Sequence, residues 1–344
     1  MSSAPDAIAS QERTRVGLVL GAGGVLGGAW LIGALQAIVA ETGWDPAGSE
    51  YIVGTSAGSM IGALVACGVK PELMLAHSRG ERPAGSTGDP RYKLDTAGFA
   101  FGPGSWRLAL ASLARPYRYS PGAVISGWLP RGLISTDPLK ETIRRAHPGP
   151  GWAPHPNYWP MAVDYGTGRR VAFGRAGAPP AELPDAVAAS CAIPGFYCPV
   201  EIAGRRYVDG GVRSTSNLDV LRDEPLDLVV ALNPTSSLHA TSGGSVAERL
   251  AFQMRQASGR RLGSEAKRLR AAGIEVVLIQ PTVADLDAMG SNLMSGKRRG
   301  QVADTAVDTV TRHLHETGLV DRLAALSSPT TTAGATRRRA TPAA

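Results

Sequence analysis

Long uncharged runs alternate with amphipathic stretches along the first part of this chain. Residues 16–40 and residues 51–69 contain no charged side chain, and a membrane span needs ~20 predominantly apolar residues. Five glycines lie between positions 21 and 28 of the first run, and each glycine destabilises a helix by roughly 1 kcal/mol relative to alanine. The pattern therefore favours a soluble protein in which each run is a buried strand, a turn and a buried helix.

The remaining chain repeats this alternation of strands and helices. Amphipathic periodicity and capping residues predict helices at 137–147, 182–192, 260–273 and 301–318. Apolar runs and turn residues predict two hairpins, at 158–175 and 200–211, and two buried strands, at 226–234 and 274–281. Such alternation predicts an α/β protein with a mostly parallel sheet between helical layers.

One domain over residues 15–325 accounts for this pattern, between a disordered segment at 1–14 and a disordered basic tail at 326–344. The first residues lack the basic start and apolar run of a secretory signal. Residues 79–130 interrupt the alternation with a stretch rich in Gly, Pro, Arg and aromatic side chains. We expect a helical or loop-rich insertion there, which is either a binding surface or an ordinary packed excursion.

Composition narrows the cellular setting of the protein. The net charge is +7 over 344 residues, and no nucleic-acid-binding motif accompanies it. The three scattered cysteines, Cys67, Cys191 and Cys198, predict a reducing, cytoplasmic compartment without disulfides, and no metal-ligand spacing is present. We expect peripheral contact with a membrane through the apolar side chains of the insertion, such as Trp106, Leu108, Tyr117 and Trp128.

The candidate nucleophile is Ser56, which lies in the pentapeptide GTSAG at 54–58. A sharp strand-to-helix turn lifts the hydroxyl of its corner residue clear of the sheet, and very small neighbours let the turn close. Gly54 and Gly58 occupy those neighbouring positions. The alternative is a glycine-rich turn in which Ser56 only caps the helix.

The glycine loop at 21–28, GAGGVLGG, follows the first predicted strand. Its backbone N–H groups could stabilise an oxyanion, whereas dinucleotide pyrophosphate is held by a loop in the same position. The spacing disfavours a dinucleotide, because Leu26 stands where the third glycine would be.

A general base is less obvious than the nucleophile. None of the six histidines, His77, His147, His155, His239, His313 and His315, lies at a glycine-flanked strand end. Asp209 does, because Gly210 and Gly211 follow it directly after a predicted strand. The alternative for this fragment is a plain Asp-Gly turn.

Together these fragments resemble the patatin-like phospholipases. The shared features are a glycine loop after the first strand, GTSAG after the second, and YVDGG at 207–211 preceded by ASCAIP at 189–194. The resemblance spans about residues 15–280 and implies a three-layer α/β/α sandwich. It implies hydrolysis of fatty acyl esters of lipids by a Ser–Asp dyad without histidine. No metal is implied by ligand spacing, and the reaction requires no cofactor.

Carried onto this sequence, the resemblance makes Ser56 the nucleophile and Asp209 its proton acceptor. It assigns the oxyanion hole to the loop around Gly23, Gly24 and Val25. Two positions depart from the family pattern, since Ala22 replaces a glycine and Leu26 stands where a basic residue is common. Two other functions remain open, namely a non-catalytic nucleotide- or lipid-binding protein and a soluble carboxylesterase.

Overall fold

The computed structural model describes residues 14–81, 105–114, 121–129, 132–237 and 246–326. The strands are β1 (Val16–Leu20), β2 (Tyr51–Thr55), β3 (Tyr158–Asp164), β4 (Arg170–Ala172), β5 (Val200–Ile202), β6 (Arg205–Asp209), β7 (Leu228–Leu232) and β8 (Glu275–Ile279). The helices are α1 (Gly24–Thr42), α2 (Ala57–Ala66), α3 (Pro71–Ser78), α4 (Trp106–Ala114), α5 (Pro121–Trp128), α6 (Asp137–Ala146), α7 (Leu183–Cys191), α8 (Val246–Ala271), α9 (Val283–Met289), α10 (Arg299–Glu316) and α11 (Leu319–Ala324).

The eight strands form one mixed sheet in the order β5-β6-β3-β2-β1-β7-β8, with β4 also paired to β3. The run from β3 through β2, β1 and β7 to β8 is parallel. Strands β4 and β6 pair with β3 in the antiparallel sense, and so does β5 with β6. The predicted α/β class, the mostly parallel sheet and both predicted hairpins are therefore confirmed.

Side chains alternate between two cores along the parallel strands, as the two-residue period of a strand requires. Leu18, Ile52 and Val230 face the core shared with α1, α2 and α10. Their neighbours Val19, Val53 and Val229 face the opposite core, which contains Leu262, Ala266 and Leu269 of α8. Helices therefore cover both faces of the sheet, which gives the three layers expected of an α/β/α sandwich.

Helix α1 is the central helix of the first core. It is long and apolar enough to cross a membrane by length and composition, but 67% of its apolar part is buried within the fold. Trp30, Leu31 and Leu35 are fully buried. Packing against the sheet and α10 thus accounts for the absence of charged residues in α1. Gly43 ends the helix in the left-handed conformation, at φ 66°.

Helix α8 is longer than the predicted helix, which began at residue 260. The structure begins it at Val246 and continues it through Gly259, since no proline interrupts the segment and a single glycine costs only about 1 kcal/mol. Two described parts of the 79–130 insertion are helical, as α4 and α5. Of the two predicted terminal segments, 1–14 and 326–344, all but residues 14 and 326 lie outside the described residues, so the domain limits stay a prediction.

Candidate active site

Ser56 occupies the corner between β2 and α2. Its backbone has φ 53° and ψ −122°, a positive-φ conformation that residues other than glycine rarely adopt. A Cβ on Gly54 would lie 2.5 Å from the Cα of Ser59, and one on Gly58 would overlap the carbonyl oxygen of Leu20. Both glycines are therefore required for the turn to close, as the pentapeptide predicts.

Neighbouring side chains hold the backbone of Ser56 in this conformation. The Ser56 N–H donates to Ser190 Oγ at 3.1 Å, and Ser190 Oγ donates to the carbonyl of Met161 at 2.6 Å. The Ser56 carbonyl accepts from Ser59 Oγ at 2.7 Å and from Cys191 Sγ at 3.2 Å. The ASCAIP fragment was identified from the sequence, but only the structure shows that its Ser190 and Cys191 hydrogen bond to the backbone of Ser56.

Asp209 lies at the end of β6, on the far side of β3 from Ser56. Residue pairing puts Thr55 opposite Met161 and Asp209 opposite Ala162, so β2 and β6 bring the two residues to neighbouring positions of β3. The Ser56 side chain lies close enough to the Asp209 carboxylate to lower the pKa of Asp209 through hydrogen bonding. The Gly211 N–H donates to Asp209 Oδ1 at 2.7 Å.

Burial changes the acid–base character of this pair. Desolvation raises the pKa of Asp209 to about 6, against the opposing effect of the hydrogen bonds from Ser56 and Gly211. Burial also raises the pKa of the neighbouring Cys191 thiol to about 12. The thiol is therefore neutral at pH 7, whereas Asp209 can be ionised there and is a stronger base than an ordinary aspartate.

The glycine loop lies against both of these segments. A Cβ on Gly28 would lie 3.6 Å from that of Ala57, and one on Gly211 would lie 3.7 Å from that of Ala22. Gly24 begins α1 with φ 60°, where a side chain would be strained. The structure thus brings together the glycine loop, GTSAG and YVDGG, the three sequence fragments that suggested a common site.

The beginning of α1 presents unpaired backbone donors. The N–H groups of Leu26 and Gly27 donate to the carbonyls of Leu293 and Gly23, each at 2.9 Å. Those of Gly23, Gly24 and Val25 have no acceptor within the described part of the chain. Free N–H groups and the positive end of the helix dipole suit a developing negative charge.

The basic residue that is common in the loop of the patatin-like phospholipases, which the sequence resembles, is replaced here by Leu26, and Leu26 is fully buried in the core. A cation approaches from α8 instead. Arg255 donates to the carbonyl of Pro234 at 3.1 Å, and the ring of Pro234 would lie 2.7 Å from a Cβ on Gly23. Burial lowers the pKa of Arg255, and no described carboxylate forms an ion pair with it.

Asn217 connects the two candidate catalytic segments and was missed by sequence reasoning. Its side-chain N–H groups donate to Thr55 Oγ1 at 3.0 Å, to the carbonyl of Ser214 at 2.7 Å and to that of Gly210 at 3.5 Å. Thr55 precedes Ser56, and Gly210 follows Asp209. The sequence contained one indication of this role, an asparagine shortly after YVDGG. Asparagine tolerates the left-handed backbone conformation, which Asn217 adopts at φ 51°.

No described histidine hydrogen bonds to Ser56 or Asp209. His155 Nε2 lies 2.7 Å from the carbonyl oxygen of Ser49, and His315 Nε2 lies 2.8 Å from Glu41 Oε2. His239 lies outside the described residues. Within the described ranges there is also no group of three or more His, Cys, Asp or Glu side chains that could hold a metal ion.

A three-layer α/β fold with a serine on a strand–helix elbow is the arrangement found in serine hydrolases of the α/β type. A family model described as patatin-like phospholipase matches residues 18–222, which is more than half of the chain. The chain therefore belongs to the patatin-like phospholipase family and is a lipid ester hydrolase.

Among solved structures, the chain is similar to VipD from Legionella pneumophila, with 14% sequence identity and a TM-score of 0.41. That similarity covers 89% of this chain and 67% of VipD. No curated protein matches the chain.

Proposed function

We propose that this protein cleaves fatty acyl esters of phospholipids or lysophospholipids with a Ser56–Asp209 dyad. The observation that carries the proposal is the approach of Ser56 and Asp209 across β3, where burial raises the pKa of the Asp209 carboxyl to about 6. Such a carboxylate can accept the serine proton directly, so the reaction requires no histidine between them.

The reaction proceeds in two steps. As Ser56 Oγ bonds to the ester carbonyl carbon, its proton passes to Asp209, and the carbonyl oxygen becomes an oxyanion. The N–H groups of Gly23, Gly24 and Val25 stabilise that oxyanion, and each well-placed donor is worth about 3–4 kcal/mol. The ester C–O bond then breaks, and Asp209 returns the proton to the departing alcohol.

Water completes the cycle by the same route. The oxygen of a water molecule attacks the acyl-serine ester while Asp209 takes a proton from that water. The second tetrahedral intermediate then releases the fatty acid. The proton on Asp209 returns to Ser56 Oγ, which restores the starting state. Each step conserves the total charge of the dyad and the bound substrate, and it requires neither a metal nor a cofactor.

A fluorophosphonate probe tests the activated serine directly, because the probe reacts covalently with such a serine. We expect the intact mass to increase by one phosphonyl group in the wild-type protein and to stay unchanged in Ser56→Ala. An unlabelled wild-type protein would instead favour a non-catalytic lipid- or nucleotide-binding protein. Comparison of micellar phospholipid with a short p-nitrophenyl ester separates the lipase from a soluble carboxylesterase.

We also propose that the enzyme works in the cytoplasm, in peripheral contact with a membrane. All three cysteines, Cys67, Cys191 and Cys198, are free thiols, which suits a reducing compartment. Fractionation of cells that express the full chain tests this, with the protein expected in the cytosolic and membrane-associated fractions.

A further inference from the structure

Large apolar side chains are exposed mainly in one region of the described surface. Eight such side chains are exposed in the described residues, and five of them belong to α4, the end of α5 and the loop after α7. We call these five the apolar rim: Trp106, Leu110, Trp128, Leu129 and Phe196. Trp106 is 60% exposed and Phe196 is 39% exposed.

Direct contacts join the three segments of the apolar rim. The N–H of Ser105, before Trp106, donates to the carbonyl of Gly127, before Trp128, at 3.3 Å. A Cβ on Gly195, before Phe196, would lie 3.6 Å from a methyl carbon of Leu129. Leu110 follows Trp106 by one helical turn and lies on the same side of α4. The three segments of the rim are thus neighbours in the fold.

The rim borders the candidate active site. The carbonyl of Ala192 accepts the N–H of Asp209 at 3.0 Å, and the chain continues from Ala192 directly to Phe196. On the other side, α5 contacts the short helical turn Gly210–Val212 that follows Asp209. A substrate that leaves a surface in contact with the rim therefore has a short path to Ser56.

The three segments of the rim contain one charged residue, Arg107. The sequences of α4, α5 and residues 192–199 contain no Asp or Glu, and Arg107 is exposed beside Trp106. Tryptophan and phenylalanine side chains settle at the level of lipid headgroups, and basic residues beside them attract anionic lipid. A bilayer surface that contains anionic lipid matches both the apolar and the charged groups.

We infer that the apolar rim is the surface through which this enzyme rests on a lipid bilayer. The inference rests on the proposed function, because the bilayer is where the acyl ester substrate would be found. It differs from the sequence expectation in its residues, since Leu108 is fully buried and is unable to contact lipid. Leu110, Leu129 and Phe196 take its place, and Tyr117 lies outside the described residues.

Vesicle binding by full-length Ser56→Ala protein tests the rim without turnover of the lipid. The rim variant replaces Trp106, Trp128 and Phe196 with serine, and its matched control replaces the other exposed apolar residues Leu73, Met254 and Val283 with serine. With phosphatidylcholine–phosphatidylglycerol vesicles, we expect the partition coefficient of the rim variant to fall at least about tenfold, since membrane affinity scales with buried apolar area. The control variant should bind like the parent.

Two outcomes of this experiment would overturn the inference. They are undiminished binding by the rim variant and an equal loss in the control, which would indicate non-specific adhesion. A dimer in analytical ultracentrifugation that the rim variant converts to a monomer would also overturn it, because the rim would then be an interface between two copies.

A milder pair of substitutions guards against misfolding. Trp106→Phe with Trp128→Phe keeps the rim apolar but removes its two indoles. We expect brominated phosphatidylcholine to quench the fluorescence of the parent protein and to quench the double variant much less. Equal quenching would place these tryptophans away from the bilayer and contradict the inference.

Activity measurements separate failure of the rim from failure of the dyad. With Ser56 intact, the rim variant should keep its kcat/KM for a dissolved short-chain ester and lose activity on vesicles. If the wild-type protein hydrolyses neither substrate, the proposed function is wrong, while the vesicle-binding result still decides the role of the rim.

Discussion

The Ser56 side chain interacts with the carboxylate of Asp209, and strand β3 lies between β2, which Ser56 follows, and β6, which Asp209 ends. Pairing of Thr55 with Met161 and of Asp209 with Ala162 sets this relationship. The serine proton therefore has an acceptor that is fixed by the sheet and not by a mobile loop.

Replacement of Ser56 by alanine should abolish hydrolysis while the fold persists. The change removes one oxygen and leaves a Cβ in the same corner. We expect kcat/KM for a lipid ester to fall to background, with an unchanged circular dichroism spectrum. Ser78→Ala, which removes a buried hydroxyl on α3 bonded to the carbonyl of Met74, is the matched control and should remain active. Residual activity above a tenth of wild type in Ser56→Ala would refute the nucleophile assignment.

Asp209→Asn should damage activity as severely as Ser56→Ala. Asparagine preserves the shape of the side chain but is neither charged nor basic, so the serine proton loses its acceptor. Single His→Gln variants at all six histidines should each retain most of kcat/KM. A thousandfold decrease in one folded histidine variant, His239 included, would mean that a triad operates and that the dyad is wrong.

The pH dependence of hydrolysis should report Asp209. Only the ionised carboxylate accepts the serine proton, so kcat/KM on a neutral, dissolved ester should rise about tenfold per pH unit at low pH and level off above its pKa. With the pKa raised to about 6 by burial, the midpoint is expected near there. A midpoint near 4 would show that the carboxylate is solvated like an ordinary aspartate.

Asp209→Asn should also stabilise the protein at neutral pH. Because burial raises the pKa of Asp209 from 3.8 to about 6, the folded state binds more protons than the unfolded state between these values. Its contribution to the free energy of unfolding is full below pH 4 and is lost as pH rises through 6. The variant should therefore gain on the order of 2–3 kcal/mol over wild type at pH 8. Urea unfolding at pH 4 and pH 8 measures this, and an equal difference at both values would contradict it.

Asn217→Gly should lower kcat more than it raises KM. Glycine accepts the left-handed backbone of this position, so the substitution removes the amide that links Thr55 to Gly210 and Ser214 and that accepts from Arg170. Small displacements of catalytic groups reduce turnover by up to about 100-fold. Slower labelling by the fluorophosphonate probe should accompany the loss. A change in thermal stability with unaltered kcat would instead make Asn217 purely structural.

The sequence by itself determined the α/β class, both hairpins and the closure of the elbow. Strand and helix periodicities are local properties of adjacent residues, and the glycines at 54 and 58 are needed within one turn of the chain. The order of the glycine loop, GTSAG and YVDGG was enough to indicate the family. The start of α8 was predicted too late, because the helix continues through Gly259, a residue type that disfavours a helix when judged from the local sequence.

Tertiary structure alone decided how these fragments act together. Ser190, Cys191 and Asn217 lie far from Ser56 in the chain, and only the folding of the sheet brings their polar atoms to the corner. The raised pKa of Asp209 depends on burial, which sequence does not show. The composition of the apolar rim was also decided by tertiary structure. Leu108 is buried and Phe196, from another segment, is exposed, because exposure depends on what packs against each side chain.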